Sequence, residues 1–199
     1  MSPKPDVSEE RKLQIIEAAV SVFAREGFNK ARMDDIADKA GLSKGALYWY
    51  FKSKDAIISA ILDSVFSREI SRIRKMADID LPAREMLKGY IDSVTADLVA
   101  MKPIMPILYE FIAMGFRQKR IQKSLQRYLR GFMEVAEPLI QRGVDKGEFI
   151  DVDPTEASHT LGALIEGSII LWSYDPEHIE VKELIESSVN LLLEGLEKK

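Results

Sequence analysis

An all-α fold of about nine helices is what this 199-residue chain predicts, and three observations carry that reading. Apolar residues recur at three- and four-residue intervals along most of the chain, the spacing of one helix face. No stretch alternates apolar and polar residues convincingly enough to argue for a sheet. Ser, Asp and Pro stand where helices begin and Gly where several end.

The first stripe is Leu13, Ile16, Val20 and Phe23. Asp6 and Glu9 are spaced as a capping box and Gly27 as a stop, which predicts a helix over 7–26. A two-turn helix follows Arg32 and ends at Gly41, a residue free to take the left-handed conformation of a sharp turn. Ser43 is the N-cap of a short helix from Lys44 to Phe51, and Ser53 caps a long fourth helix carrying Ile57, Ile61, Leu62, Val65 and Phe66. Pro82 opens a segment to about Met101, which Lys102-Pro103 breaks. A Met-rich, aromatic segment then runs to about Phe116. The next helix spans Ile121 to Lys146, with Pro138 expected to kink or divide it. Asp153-Pro154-Thr155-Glu156 is a start signal for a helix to about Trp172. Asp175-Pro176-Glu177 repeats the device and is expected to start the last helix, to about Glu197.

Composition narrows the function. With 46% hydrophobic and 30% charged residues, the chain is neither a disordered tail nor a membrane protein. No apolar run approaches the length that spans a bilayer, and no secretory signal is visible at the start. The absence of cysteine removes disulfides, thiolate metal sites and cysteine nucleophiles. Two histidines, His159 and His178, leave little for a histidine metal site or relay. No Gly-rich phosphate loop, Ser-His-Asp arrangement or metal-ligand spacing occurs. A cytoplasmic, non-catalytic protein without a cofactor is expected. Residues 1–75 hold 14 Lys and Arg against 11 Asp and Glu, and residues 76–199 hold 14 against 21. A basic head on an acidic body suggests an anionic partner for the head.

Two short helices joined by a Gly-containing turn and braced by an amphipathic helix make a helix-turn-helix signature. Ile36, Ala37, Leu42, Leu47 and Phe51 supply its small core. Lys44, Gly45, Ala46, Tyr48 and Trp49 then lie at the start and outer side of the second helix, the part able to enter a major groove. Lys52 and Lys54 are placed to meet phosphates, and Tyr50 adds a hydroxyl donor. Three large aromatic residues on a short polar helix cannot all face inward, so at least one is expected to be exposed for binding.

The run Gly41-Leu42-Ser43-Lys44-Gly45-Ala46-Leu47-Tyr48-Trp49-Tyr50-Phe51-Lys52-Ser53-Lys54-Asp55 resembles the DNA-binding signature of the TetR-family transcriptional regulators. Ile16-Glu17-Ala18-Ala19, Phe23, Gly27-Phe28 and Asp35-Ile36-Ala37 fit the same pattern, so the resemblance covers about residues 10–58. It implies an all-α homodimer with an N-terminal helix-turn-helix domain, 1–54, and a ligand-binding and dimerisation domain, 55–199. It also implies that Ser43, Lys44 and Gly45 begin the recognition helix, and that Tyr48 and Tyr50 approach backbone phosphates. Trp49 would lie at the groove wall and Lys54 would anchor a phosphate. Ala31 and Arg32 stand where the family often has Thr or Ser. Arg32, beside Met33, would replace that hydroxyl with a charged phosphate contact or reach a base edge.

In the body, Phe66, Tyr90, Met105, Tyr109, Phe132, Met133, Glu166 and Trp172 are candidates for a pocket between helices, since Met adapts to irregular apolar ligands. Glu110 is a further polar candidate. Leu161 and Ile165, with Leu184, Val189, Leu192 and Leu196, make stripes expected to pair with their copies in a dimeric four-helix bundle, helped by Gly162 and Gly167. The function expected is a regulator, by family tendency a repressor, that binds palindromic double-stranded DNA. A small hydrophobic or amphipathic effector would release it. The alternative is a chromosome-organising or division-control factor whose C-terminal domain binds a protein.

Overall fold

The structure, a computed structural model, describes residues 7–77 and 81–198. Among them the chain forms α1 (Val7–Glu26), α2 (Met33–Lys39), α3 (Lys44–Tyr50), α4 (Lys54–Ala77) and α5 (Ala83–Met101). A 3-10 turn at Lys102–Ile104 leads to α6 (Met105–Met114), α7 (Lys119–Asp145), α8 (Pro154–Tyr174) and α9 (Val181–Leu196). The helices divide into two compact units, Met1–Val65 with Pro103–Gln126, and Phe66–Lys102 with Arg127–Lys199. Helices α4 and α7 contribute residues to both. The expected cap at Asp6 lies outside the described residues.

In the first unit, α1 packs on α2 and α2 on α3. Phe23, Ile36, Leu47, Ile57 and Ile58 have no solvent exposure, and Phe51 is buried beside this core. Phe23 also meets Phe111 of α6 edge-on at 5.5 Å, with Phe28 close to both. The Gln14 amide donates to the Ala40 carbonyl across 2.6 Å and clips α1 to the end of α2. Gly41 has φ +65°, the left-handed conformation that turns the chain into α3.

In the second unit, α8 packs along α9 and α5 against α9. The Asp153 carboxylate accepts from the amides of Thr155 and Glu156, closing the first turn of α8. Helix α7 is not divided at Pro138 but runs through it. The start expected at Asp175 is also corrected. Asp175 is the C-cap of α8, donating back to Leu171, and the turn it opens lasts only to Ile179 before α9 begins at Val181. A chain reversing between two packed helices needs those residues for the bend.

The expected dimer stripe is largely an internal seam. Leu161, Ile165, Val189 and Leu196 are buried within the chain, and Leu184 and Leu192 are half-buried. Gly162 faces Phe132 of its own chain, while Gly167 faces open space. The outward apolar side chains of α8 and α9 are Ile170, Leu171, Tyr174 and Leu191. A stripe read from one helix cannot say whether its partner is in the same chain or in another.

Candidate nucleic-acid interface and ligand cavity

Helix α3 begins with the Ser43 hydroxyl accepting the Ala46 amide at 3.2 Å. This N-cap leaves Lys44 and Gly45 exposed on the first turn. Leu47 turns wholly inward, whereas Tyr48 is 42% and Trp49 68% exposed. Tyr50 is half-buried, with its ring edge-on to Trp49 at 4.6 Å. Two of the three aromatics are therefore open to an external partner. The helix edge is bare at one point: a methyl group added at Gly45 would meet no atom within 4 Å.

The charged residues around α3 are tied into the unit. Lys44 pairs with Asp34 of α2 at 2.5 Å, and that hydrogen bond raises the lysine's pKa. Lys52 donates to the Tyr48 carbonyl at 2.6 Å, at the end of α3. Arg32 is exposed, and half-buried Met33 follows it as the first residue of α2. The missing hydroxyl at this position is made good from the other side, because the Asp35 carboxylate accepts the Arg32 amide at 2.9 Å.

Lys54, expected as a phosphate anchor, has partners within the unit. Its ammonium donates to the carbonyls of Phe28 at 2.6 Å and Ala31 at 2.8 Å, reaches that of Asn29, and lies 4.3 Å from the centre of the Phe28 ring. Three donors directed at three carbonyls make it the staple of the α1–α2 loop.

The second unit holds a cavity of about 280 Å3 lined from α5, α7 and α8. Tyr90, Phe132, Met133 and Glu166 line it as expected from the sequence, together with Tyr128, Ser158 and His159. Phe66 stands beside it, stacked on the Tyr128 ring at 4.1 Å. Trp172 is buried but does not line it. Met105, Tyr109 and Glu110 belong to α6 in the first unit.

At one end of the cavity the Tyr128 hydroxyl stands 3.2 Å from a Glu166 oxygen and 3.3 Å from a Glu69 oxygen. The same Glu69 oxygen accepts from the Tyr90 hydroxyl at 2.5 Å. Burial pushes the Glu69 carboxyl above its ordinary range, and the two tyrosine hydroxyls oppose that shift. Glu166 presents part of its side chain to solvent, yet surrounding protein and the Glu69 charge raise its pKa too. Both tyrosines are pushed well up, by burial first and then by the Glu69 charge. The signal for Glu69 was present in the sequence. It interrupts the apolar stripe Phe66, Ile70 and Ile73, where a solvated glutamate does not belong. Ser158 carries no such mark.

A braced two-helix motif with an exposed recognition helix in one unit, and a cavity in the other, all-α unit, define a helix-turn-helix DNA-binding regulator. Residues 15–61 match the bacterial regulatory proteins of the tetR family, and residues 83–194 match the C-terminal domain of BetI-type transcriptional repressors. The chain belongs to the TetR family of transcriptional regulators.

It is 28% identical to the uncharacterized HTH-type transcriptional regulator YfiR of Bacillus subtilis, across 94% of each chain. The regulator FadR of B. subtilis, solved with stearoyl-CoA, shares its fold with a TM-score of 0.76 at 23% identity, covering 92% of this chain and 98% of FadR. SmeT, the repressor of the Stenotrophomonas maltophilia multidrug efflux pump SmeDEF, was solved with triclosan. That complex superposes with a TM-score of 0.80 at 20% identity, covering 96% of this chain and 93% of SmeT. No helix among the described residues is long and apolar enough to cross a membrane.

Proposed function

We propose that this chain is a ligand-responsive repressor whose effector occupies the cavity of the second unit. The observation that carries the reading is the cavity itself. It is apolar along most of its wall and has a few convergent polar groups at one end, the makeup of a small-molecule site. Family membership and the ligand-bound FadR and SmeT structures support it.

The DNA-facing residues proposed are Lys44, Gly45, Tyr48 and Trp49 on α3, with Ser43 at its N-terminus. Arg32, Met33, Tyr50 and Lys52 flank them. Helix N-terminal amides favour phosphate, and the exposed aromatic side chains offer edges and hydroxyls to a groove wall. One recognition helix reads few base pairs, so two copies reading successive major grooves, about 34 Å apart or a multiple of it, give the specificity an operator needs. Ile170, Leu171, Tyr174 and Leu191 are the surface proposed for that dimer.

Helix α4 carries Lys54 at its start and Glu69 further along. An effector that moves α4 at Glu69 changes the spacing of the two recognition helices. Coupling of about 1–3 kcal/mol between two sites is typical and suffices to release an operator.

The test is fluorescence anisotropy with DNA from just upstream of the protein's own gene, at several salt concentrations, against scrambled DNA. Preferential, salt-dependent binding supports a local repressor. Equal, weak binding to both DNAs counts against it.

A further inference from the structure

The cavity has an acidic end that is short of protons. Glu69 accepts from Tyr90, and Tyr128 stands between Glu69 and Glu166 at nearly equal distances. A phenol has one proton and can donate it to only one of the two carboxylates. With both ionised, the other faces an oxygen lone pair. The cluster therefore needs an extra proton or a positive charge.

One positive charge acts on the cluster from outside the cavity: Arg72, on α4 with Glu69, opposes the rise of the Glu69 carboxyl, while Asp97 of α5, its ion-pair partner, acts the other way. His159 of α8 lines the cavity and is exposed. No lysine or arginine is among the lining residues from α5, α7 and α8.

A second feature points independently to a ligand. Ser158 is fully buried and lines the same cavity, and its hydroxyl has no hydrogen-bond partner. Buried hydroxyls are ordinarily paired. Ser158 precedes Glu166 by eight residues of α8, roughly 12 Å of helix rise. Between them the wall is apolar or aromatic, with Phe132, Leu129, Met133 and Ile165. A cavity of about 280 Å3 has room for a compact organic molecule.

We propose that the cavity binds a compact organic cation, whose charge settles among Glu69, Tyr128 and Glu166 in place of the missing proton and whose far end bonds to Ser158. The aromatic faces of Phe132 and Tyr128 favour a cation over a neutral isostere. This deepens the effector reading above and rests on it only for the consequence at DNA. Below the raised carboxyl range a proton occupies the cluster and competes with the ligand. Above it the cluster is anionic and open to a cation, so affinity rises with pH while the ligand's own charge stays constant.

Titration calorimetry of the full chain with four probes tests this: phenethylamine as cation, phenethyl alcohol as neutral isostere, phenylacetate as anion, and tyramine as a cation with a distal hydroxyl. The expected result is phenethylamine at least tenfold tighter than the alcohol, with phenylacetate weakest. The amine's affinity should increase between about pH 5 and about pH 8, with protons released on binding. Glu166→Gln should remove the preference for the amine. Tyramine should exceed phenethylamine in the wild type but not in Ser158→Ala, a variant expected to keep its unfolding temperature because the lost hydroxyl had no partner. An alcohol as tight as the amine, a preference unchanged in Glu166→Gln, or no amine binding at millimolar concentration overturns the proposal. Tight amine binding that leaves operator DNA bound supports the cation site and overturns the regulatory reading instead.

Discussion

The ammonium group of Lys54 donates to the carbonyl of Ala31 across 2.8 Å, and this one contact fixes the start of α4 to the loop before α2. Together with the bonds to Phe28 and Asn29 it satisfies carbonyls that no helix pairs. Lys54→Met should therefore destabilise the first unit by about 2 kcal/mol, the scale of hydrogen bonds to a charged group. Trp49 lies in the first unit and Trp172 in the second, so single-tryptophan variants separate their unfolding transitions. The Trp49 transition should move and the Trp172 transition should not.

Gly45 is in a helix with free space around it. Alanine there should stabilise α3 by roughly 0.5–1 kcal/mol, because it restricts the unfolded chain. If DNA approaches this edge closely, the same methyl group should weaken operator binding at least tenfold. A Gly45→Ala protein that is more stable and binds operator unchanged in anisotropy would remove Gly45 from the interface.

Tyr48 and Trp49 both reach solvent, Trp49 the more, so truncating them should cost the fold little. Tyr48→Ala should lower affinity for operator and scrambled DNA alike, as the loss of a phosphate contact does. Lys44→Ala should instead alter sequence preference, and it also frees Asp34 from its ion pair. Anisotropy with both DNAs distinguishes the two outcomes.

Glu69 and Glu166 titrate above the ordinary carboxyl range. The folded state binds their protons more tightly than the unfolded chain does. Their contribution to stability is therefore complete below the unfolded pKa and is lost as pH rises through the folded pKa. Glu166→Gln should accordingly raise the Trp172 unfolding temperature at about pH 8 and lose that advantage near about pH 4. A site that binds charge is thus kept at a cost in stability, a recurrent feature of functional sites.

Leu191 projects from α9 and is 70% exposed. Leu191→Glu should convert a dimer to monomers in analytical ultracentrifugation without lowering the unfolding temperature of the second unit. A dimer that persists in this variant would move the interface elsewhere.

Nearly every helix boundary was legible from local chemistry. Ser43, Ser53 and Asp153 announced starts because their side-chain oxygens bond amides two or three residues on. Gly41 announced the sharp turn because its backbone angle is open to few other residues. Asp175-Pro176 misled because the same residues that cap a helix also build a single turn, and only the packing of α8 on α9 distinguishes the two. Counting aromatics on a short helix required that at least one of Tyr48, Trp49 and Tyr50 be exposed, and the fold decided which.

The amino-acid sequence by itself determined an all-helical chain, the helix-turn-helix motif and its family, because these depend on residues close together along the chain. The tertiary structure decided which partner each side chain meets. It gave the Lys54 ammonium backbone carbonyls as partners, and it placed Leu161, Ile165, Val189 and Leu196 inside the chain. It also gathered Glu69, Tyr90, Tyr128 and Glu166 from four helices into one hydrogen-bonded cluster. Contacts between residues 21 to 59 positions apart leave no periodic trace in a sequence, because helix periodicity records which face is buried and not what lies opposite it.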